Sequence, residues 1–143
     1  MKKKSIITLF IQLLLLITIM PACSDDDDDK DITAPVITVL KPAASDQYLR
    51  GGVIIINADL ADDVALKEME LSLMAIKALK GIDTPWSPEI QRVPLSGKTQ
   101  QIRNVMVFTE IPSDIMSGSY ILMIKVTDEA GNHVNKNVPI TIE

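Results

Sequence analysis

The chain is poor in the residues that most often carry chemistry. Its 143 residues include one cysteine and one histidine, which excludes a Cys/His zinc cluster and an internal disulfide. Aromatics make up only 3%, and beyond residue 22 they are Tyr48, Trp86, Phe108 and Tyr120 alone. Basic charge is also short: 14 Lys and Arg stand against 19 Asp and Glu, net −5. Without Lys2, Lys3 and Lys4 the basic residues fall to 11 and the net charge to −8. Such an excess argues against nucleic acid as a partner, because phosphate contacts need a basic surface. The length leaves room for one ordinary domain and excludes a multidomain enzyme.

Catalysis finds little support in what remains. His133 sits beside a turn with no serine or cysteine in a nucleophile context, so it reads as a solvated turn residue. A carboxylate pair for glycoside hydrolysis exists formally among the aspartates, but a domain this small offers no deep cleft to desolvate it. The expected class is a binding or structural module, not an enzyme.

The N-terminus reads as a targeting segment. Lys2, Lys3 and Lys4 precede an apolar stretch from Ile6 to Met20, and Pro21-Ala22 closes it with a small residue, the pattern of a cleaved signal peptide. As a helix, that stretch of about 15 residues would span only about 22 Å, short of the roughly 30 Å hydrocarbon core. Residues 1–22 are therefore expected to be removed and to take no part in the fold.

The only cysteine follows at once. Ile19-Met20-Pro21-Ala22-Cys23 resembles a bacterial lipobox, in which the thiol receives a diacylglycerol before cleavage. Ala22 and Cys23 fit that pattern, whereas Met20 stands where leucine is commonest. The resemblance implies a lipidated Cys23, palmitate among its acyl chains, and anchoring to the outer membrane without a transmembrane span. Acyl chains contribute about 0.8 kcal/mol per buried methylene, and more than one chain gives stable attachment.

Ser24 is followed by five aspartates, Asp25 to Asp29, and Lys30. A run of like charge repels itself and has nothing to bury, so residues 23–33 are expected to form an extended tether. Serine and aspartates directly behind a lipidated cysteine also resemble the surface-export signal of Bacteroidetes lipoproteins, which implies exposure on the cell exterior. The sequence Asp-Asp-Asp-Asp-Lys resembles an engineered protease site as well, but its place directly behind the lipobox speaks against that origin.

From Asp31 the chain reads as short strands separated by turn residues. Val36, Ile37, Val39 and Leu40 form the first, which Pro42 ends; Gly51-Gly52 introduces a second over Val53 to Leu60, with Ile54, Ile56, Ala58 and Leu60 on one face. Tyr120, Leu122, Ile124 and Val126 share one face, set against Lys125 and Thr127 on the other, and Val134, Val138, Ile140 and Ile142 repeat the pattern after the turn. Between them Asp128-Glu129-Ala130-Gly131-Asn132 suits a tight hairpin, since Gly and Asn tolerate positive φ. Pro139 cannot donate to a ladder and is expected on the open side of an edge strand. Leu66 to Lys80 has the composition of a helix, yet Met69, Leu71 and Leu73 alternate with Glu68, Glu70 and Ser72. A strand over Leu66 to Ala75 is preferred, because the flanking strands need a partner. A loop around Gly81, Pro85 and Pro88, a short strand near Ile90 to Leu95 and a longer one over Gln100 to Ile111 complete the pattern.

About seven strands with turn signals at this spacing predict an all-β chain whose domain, residues 34–143, is an immunoglobulin-like β-sandwich. Gly118-Ser119-Tyr120 resembles a tyrosine corner, with the ring in the core and the hydroxyl returned to the upstream backbone. The turn Asp128 to Asn132, in which Gly131 and Asn132 are structural, and the segment Asp59 to Leu66 resemble turns of bacterial immunoglobulin-like and cadherin-like repeats. The nearest resemblance is to uncharacterised immunoglobulin-like lipoprotein domains of Bacteroidetes. Lacking the cysteine pair and the tryptophan of antibody domains, the core is expected to rest on aliphatic packing alone.

That topology sorts candidate sites by pole. The turns after the second strand and before the last fall at the tether end, bringing Asp59, Asp62, Asp63, Asp128, Glu129 and Asn132 together. Calcium takes six to eight oxygen ligands, and adjacent acidic loops can supply some of them. The same aspartates serve equally well as turn caps, so calcium is the only cofactor the sequence suggests and no complete motif requires it. Tyr48 and Trp86 are expected in loops at the opposite pole, where aromatic faces could anchor a protein interface or stack on sugar rings. Trp86, beside Pro85 and Pro88, could instead plug the edge of the core. The expected function is a lipid-anchored adhesion or accessory module, with a glycan-binding module of a polysaccharide-capture system as the alternative.

Overall fold

A computed structural model of the chain describes residues 30–78 and 84–143. The signal segment, Cys23 and the acidic run lie outside the described residues.

The described chain is all-β. Its strands are β1 (Val36–Lys41), β2 (Asp46–Tyr48), β3 (Ile54–Ala61), β4 (Leu66–Ala78), β5 (Gln91–Pro94), β6 (Thr99–Val107), β7 (Gly118–Asp128) and β8 (His133–Ile142). They form two sheets, ordered β1-β3-β6 and β2-β8-β7-β4-β5. Placing β3 and β6 in one sheet and β4, β7 and β8 in the other is the strand distribution of an immunoglobulin-like sandwich, with β5 as an added edge strand beside β4.

Alternation in the sequence decides which faces meet. Along β3, Ile54, Ile56, Ala58 and Leu60 are buried, and along β7 Tyr120, Leu122, Ile124 and Val126 are buried, each alternating with more exposed neighbours. These rows join Met69, Leu71, Ile140 and Ile142 in one core between the sheets. Each fully buried aliphatic side chain contributes roughly 1.5 to 3 kcal/mol over leaving it in water.

The strand preferred over Leu66 to Ala75 forms and runs on to Ala78, pairing with β7 along its length, so β-sheet pairing overrides helix propensity there. Three features depart from the sequence-based expectation. An added strand follows the first: β1 pairs with β3, and within the expected loop the chain then crosses at Ser45 (φ 72°) into β2, which runs parallel to β8. This eighth strand makes β8 an interior strand, contrary to the edge placement expected from Pro139. Proline is tolerated because the carbonyl of Pro139 accepts from Ser45 N–H at 2.7 Å and β2 begins only at Asp46, so the missing donor lies beyond the end of the short partner. The core is also not purely aliphatic, since Trp86 joins it beside Tyr120, whose ring was expected there. The tryptophan comes from the segment after β4 and packs edge-on against Phe108, with ring centroids 5.8 Å apart.

Candidate functional site

The turns at one end of the sandwich converge on the segment that leads into β1. In the β7–β8 turn, Gly131 has φ 93°, a backbone conformation that favours glycine. The backbone groups of Asp128 and Asn132 bond at 3.0 Å, and Glu129 N–H reaches Ala65 O of the β3–β4 loop at 3.0 Å. Lys98, in the β5–β6 turn, accepts from Asp62 N–H through its carbonyl at 2.8 Å and donates through Nζ to Asp63 O at 2.7 Å. Asn132 Nδ2 donates to Asp31 O at 3.1 Å. Three turns and the entering segment therefore share one acidic pole.

The anticipated acidic residues do not all meet there. Asp128 is fully buried (0% exposed), and its carboxylate accepts from Asn132 N–H and from Asn132 Nδ2, both at 2.8 Å. It caps its own turn, as buried polar groups must find partners. Asp59 does not reach the pole. It pairs on β3 with Arg103, whose guanidinium also donates to the carbonyls of Ala58 and Ile102 at the irregularity where β3 meets β6. The expected grouping of Asp59 and Asp128 with Asp62 and Asp63 is corrected accordingly: one is held by a cation, the other by an amide.

Asp31, which sequence reasoning passed over as part of the tether, takes their place. Asp31, Asp62 and Asp63 each offer a carboxylate oxygen, and these oxygens lie within 4.8 Å of one another. Asp62 Oδ2 accepts from Val64 and Ala65 N–H at 3.0 and 2.7 Å, and Asp31 Oδ1 accepts from Thr33 N–H at 2.9 Å. The other oxygen of each, Asp62 Oδ1 and Asp31 Oδ2, is enclosed by protein and has no hydrogen-bond partner among the described residues. The ion pairs among the described residues, Arg92–Glu70 and Arg103–Asp59, leave these three carboxylates out. The only sequence signal for Asp31 is its place just before β1, whose antiparallel partner β3 ends beside Asp62.

The opposite pole holds the aromatic residues. Tyr120 is fully buried and donates its hydroxyl proton to Met116 O at 2.6 Å, while Trp86 N–H donates to the same hydroxyl at 3.3 Å. This is tyrosine-corner geometry, and it ties three segments together. Trp86 is 7% exposed, so of its two expected roles it takes that of a plug at the edge of the core and not that of an exposed anchor. Tyr48 lies on β2, half-buried against the core. Its hydroxyl pKa is raised above the usual tyrosine value, first by burial and then by the negative charge of Asp46. The two aromatics do not form one platform: β2 is one edge of the five-stranded sheet, and Trp86 lies with Phe108 beside β5, the other edge. A shallow groove of about 430 Å³ beside them is lined by Trp86, Pro88, Glu89, Ile90, Gln91 and Phe108. Leu49 (68% exposed) and Val53 (43% exposed) flank the β2–β3 turn at this pole.

Residues 21–143 match the family described as "Domain of unknown function (DUF4625)". No curated protein matches the chain.

Proposed function

The chain belongs to the DUF4625 family of domains of unknown function, and from that premise we propose that it is a lipid-anchored, surface-displayed module that acts by adhesion or as an accessory subunit, without catalysis. The observation that carries this reading is the separation of the poles. The chain enters the sandwich at the acidic pole, where Asp31 is held by Asn132, so a tether attached there directs the other pole, with Leu49 and Val53, away from the membrane. The lipobox-like residues ending in Cys23 and the aspartates behind them support a Bacteroidetes-type outer-membrane lipoprotein. The family match takes in both the cysteine and the sandwich.

Two measurements test the proposal. Cys23→Ser should abolish acyl labelling and release the chain from the membrane fraction, and protease added to intact cells should remove the wild-type domain. Cells displaying the Leu49→Asp, Val53→Asp double variant should keep surface display but lose retention on protein-coated surfaces. Persistent membrane attachment of Cys23→Ser, or unchanged retention of the double variant, would refute the reading. The groove beside Trp86 favours a second reading, capture of a glycan. Retention on immobilised polysaccharide alone, lost when Glu89 and Ile90 at the groove are both replaced by alanine, would establish that alternative instead.

A further inference from the structure

The acidic pole contains a chemical imbalance that its hydrogen bonds do not relieve. Asp31, Asp62 and Asp63 bring three carboxylates together, and two of them hold one enclosed oxygen each with no donor. A buried anionic oxygen without a partner is costly, and such oxygens are normally paired or bound to a metal. The donors nearby are already committed. Lys98 Nζ is on the carbonyl of Asp63, and Asn132 Nδ2 is shared between Asp128 and the carbonyl of Asp31.

We propose that Asp31, Asp62 and Asp63 form a calcium site. Oxygens bound to one calcium at about 2.3 to 2.6 Å lie at most about 5 Å apart, and the three carboxylates meet that limit at 4.8 Å. The donors are hard oxygens from two separate segments, which suits the flexible coordination of calcium better than the strict octahedron of magnesium. Backbone carbonyls and water would complete the shell. In each of Asp31 and Asp62 one oxygen is already fixed by backbone N–H groups, so the carboxylate is oriented before the ion arrives. The ion would join the segment ahead of β1 to the β3–β4 loop. Calcium would therefore set how rigidly the sandwich is held to the chain that precedes it.

The test is a calorimetric and thermal titration of the full chain, stripped with chelator, against calcium chloride. One ion should bind in the range of about 10⁻⁴ to 10⁻³ M seen for extracellular modules, and 10 mM calcium should raise the Tm by about 5 °C. Asp31→Asn and Asp62→Asn should each weaken binding at least about tenfold, while Asp59→Asn should leave it unchanged. If Asp62→Asn fails to fold, Asp31→Asn and Asp63→Asn decide. No heat and no Tm change in the wild type would overturn the proposal. So would undiminished binding by Asp31→Asn, which would place the ion on the aspartate run, and so would an equal Tm rise with magnesium.

Discussion

Replacing Tyr120 by phenylalanine isolates one oxygen at the centre of the distal pole. The ring stays, so the core loses no volume and no cavity term enters. What is lost is the bond to Met116 O at 2.6 Å and the weaker bond from Trp86 N–H at 3.3 Å. Met116 and Trp86 are themselves buried, which keeps water from replacing the hydroxyl. Leaving a buried polar group without its partner costs roughly 1 to 3 kcal/mol. The stronger bond supplies most of that here, so the expected destabilisation is about 2 kcal/mol. For a domain of this size it corresponds to a Tm lower by about 8 °C. The chain has a single tryptophan, so urea unfolding followed by its fluorescence reads the same pole directly. The midpoint should fall while the m-value holds, because the surface exposed on unfolding is the same. A loss below about 0.5 kcal/mol, the range of ordinary surface substitutions, would show that the corner is held by packing and not by its hydroxyl.

Two further outcomes follow from the same structure. Asn132→Ala removes the side-chain bonds to Asp128 Oδ2 and Asp31 O and leaves a buried carboxylate oxygen without a donor; a loss of about 2 kcal/mol is expected in chemical denaturation, and a change near zero would mean that Gly131 alone shapes the turn. Tyr48 keeps its proton to higher pH when folded than when unfolded, so the stability tied to it is intact below about pH 10 and is lost as pH rises through the raised folded value. Melting curves from pH 8 to 11 should therefore show a smaller alkaline fall for Tyr48→Phe than for the wild type, and identical profiles would remove Tyr48 as the cause.

Much of the fold is legible in local pattern, because a strand buried on one face must alternate. Asn57 and Asp59 mark the outer face of the row from Ile54 to Leu60, and Lys125 and Thr127 that of the row from Tyr120 to Val126, whereas Ile121 and Met123 leave the first half of β7 an unbroken apolar run. The short β2 does not: Asp46, Gln47 and Tyr48 have no apolar period, and only pairing with β8 makes them a strand. Leu66 to Ala78 carries both signals, a helix-forming composition and the alternation of Met69, Leu71 and Leu73 with Glu68, Glu70 and Ser72, and its neighbours decide for the strand. At the acidic pole the sequence identified two of the three clustered carboxylates. Asp59 is three residues before the loop that reaches the cluster, yet the strand directs it to Arg103; Asp31 is remote in sequence and arrives there because β1 pairs with the strand that ends in that loop.

Local sequence pattern thus determined most of the strands, one domain's worth of core and a turn at Asp128 to Asn132, and the resemblance of Gly118-Ser119-Tyr120 to a tyrosine corner placed the tyrosine that closes the far end. Each of these depends on residues within a few positions of one another. Tertiary structure decided which polar groups meet. Asn132 holds Asp31 across 101 residues, Tyr120 reaches back to Trp86 across 34, and Arg103 claims Asp59 across 44. Those pairings depend on how the two sheets are ordered and crossed. They put Trp86 in the core and moved the acidic cluster onto the segment by which the chain enters its fold.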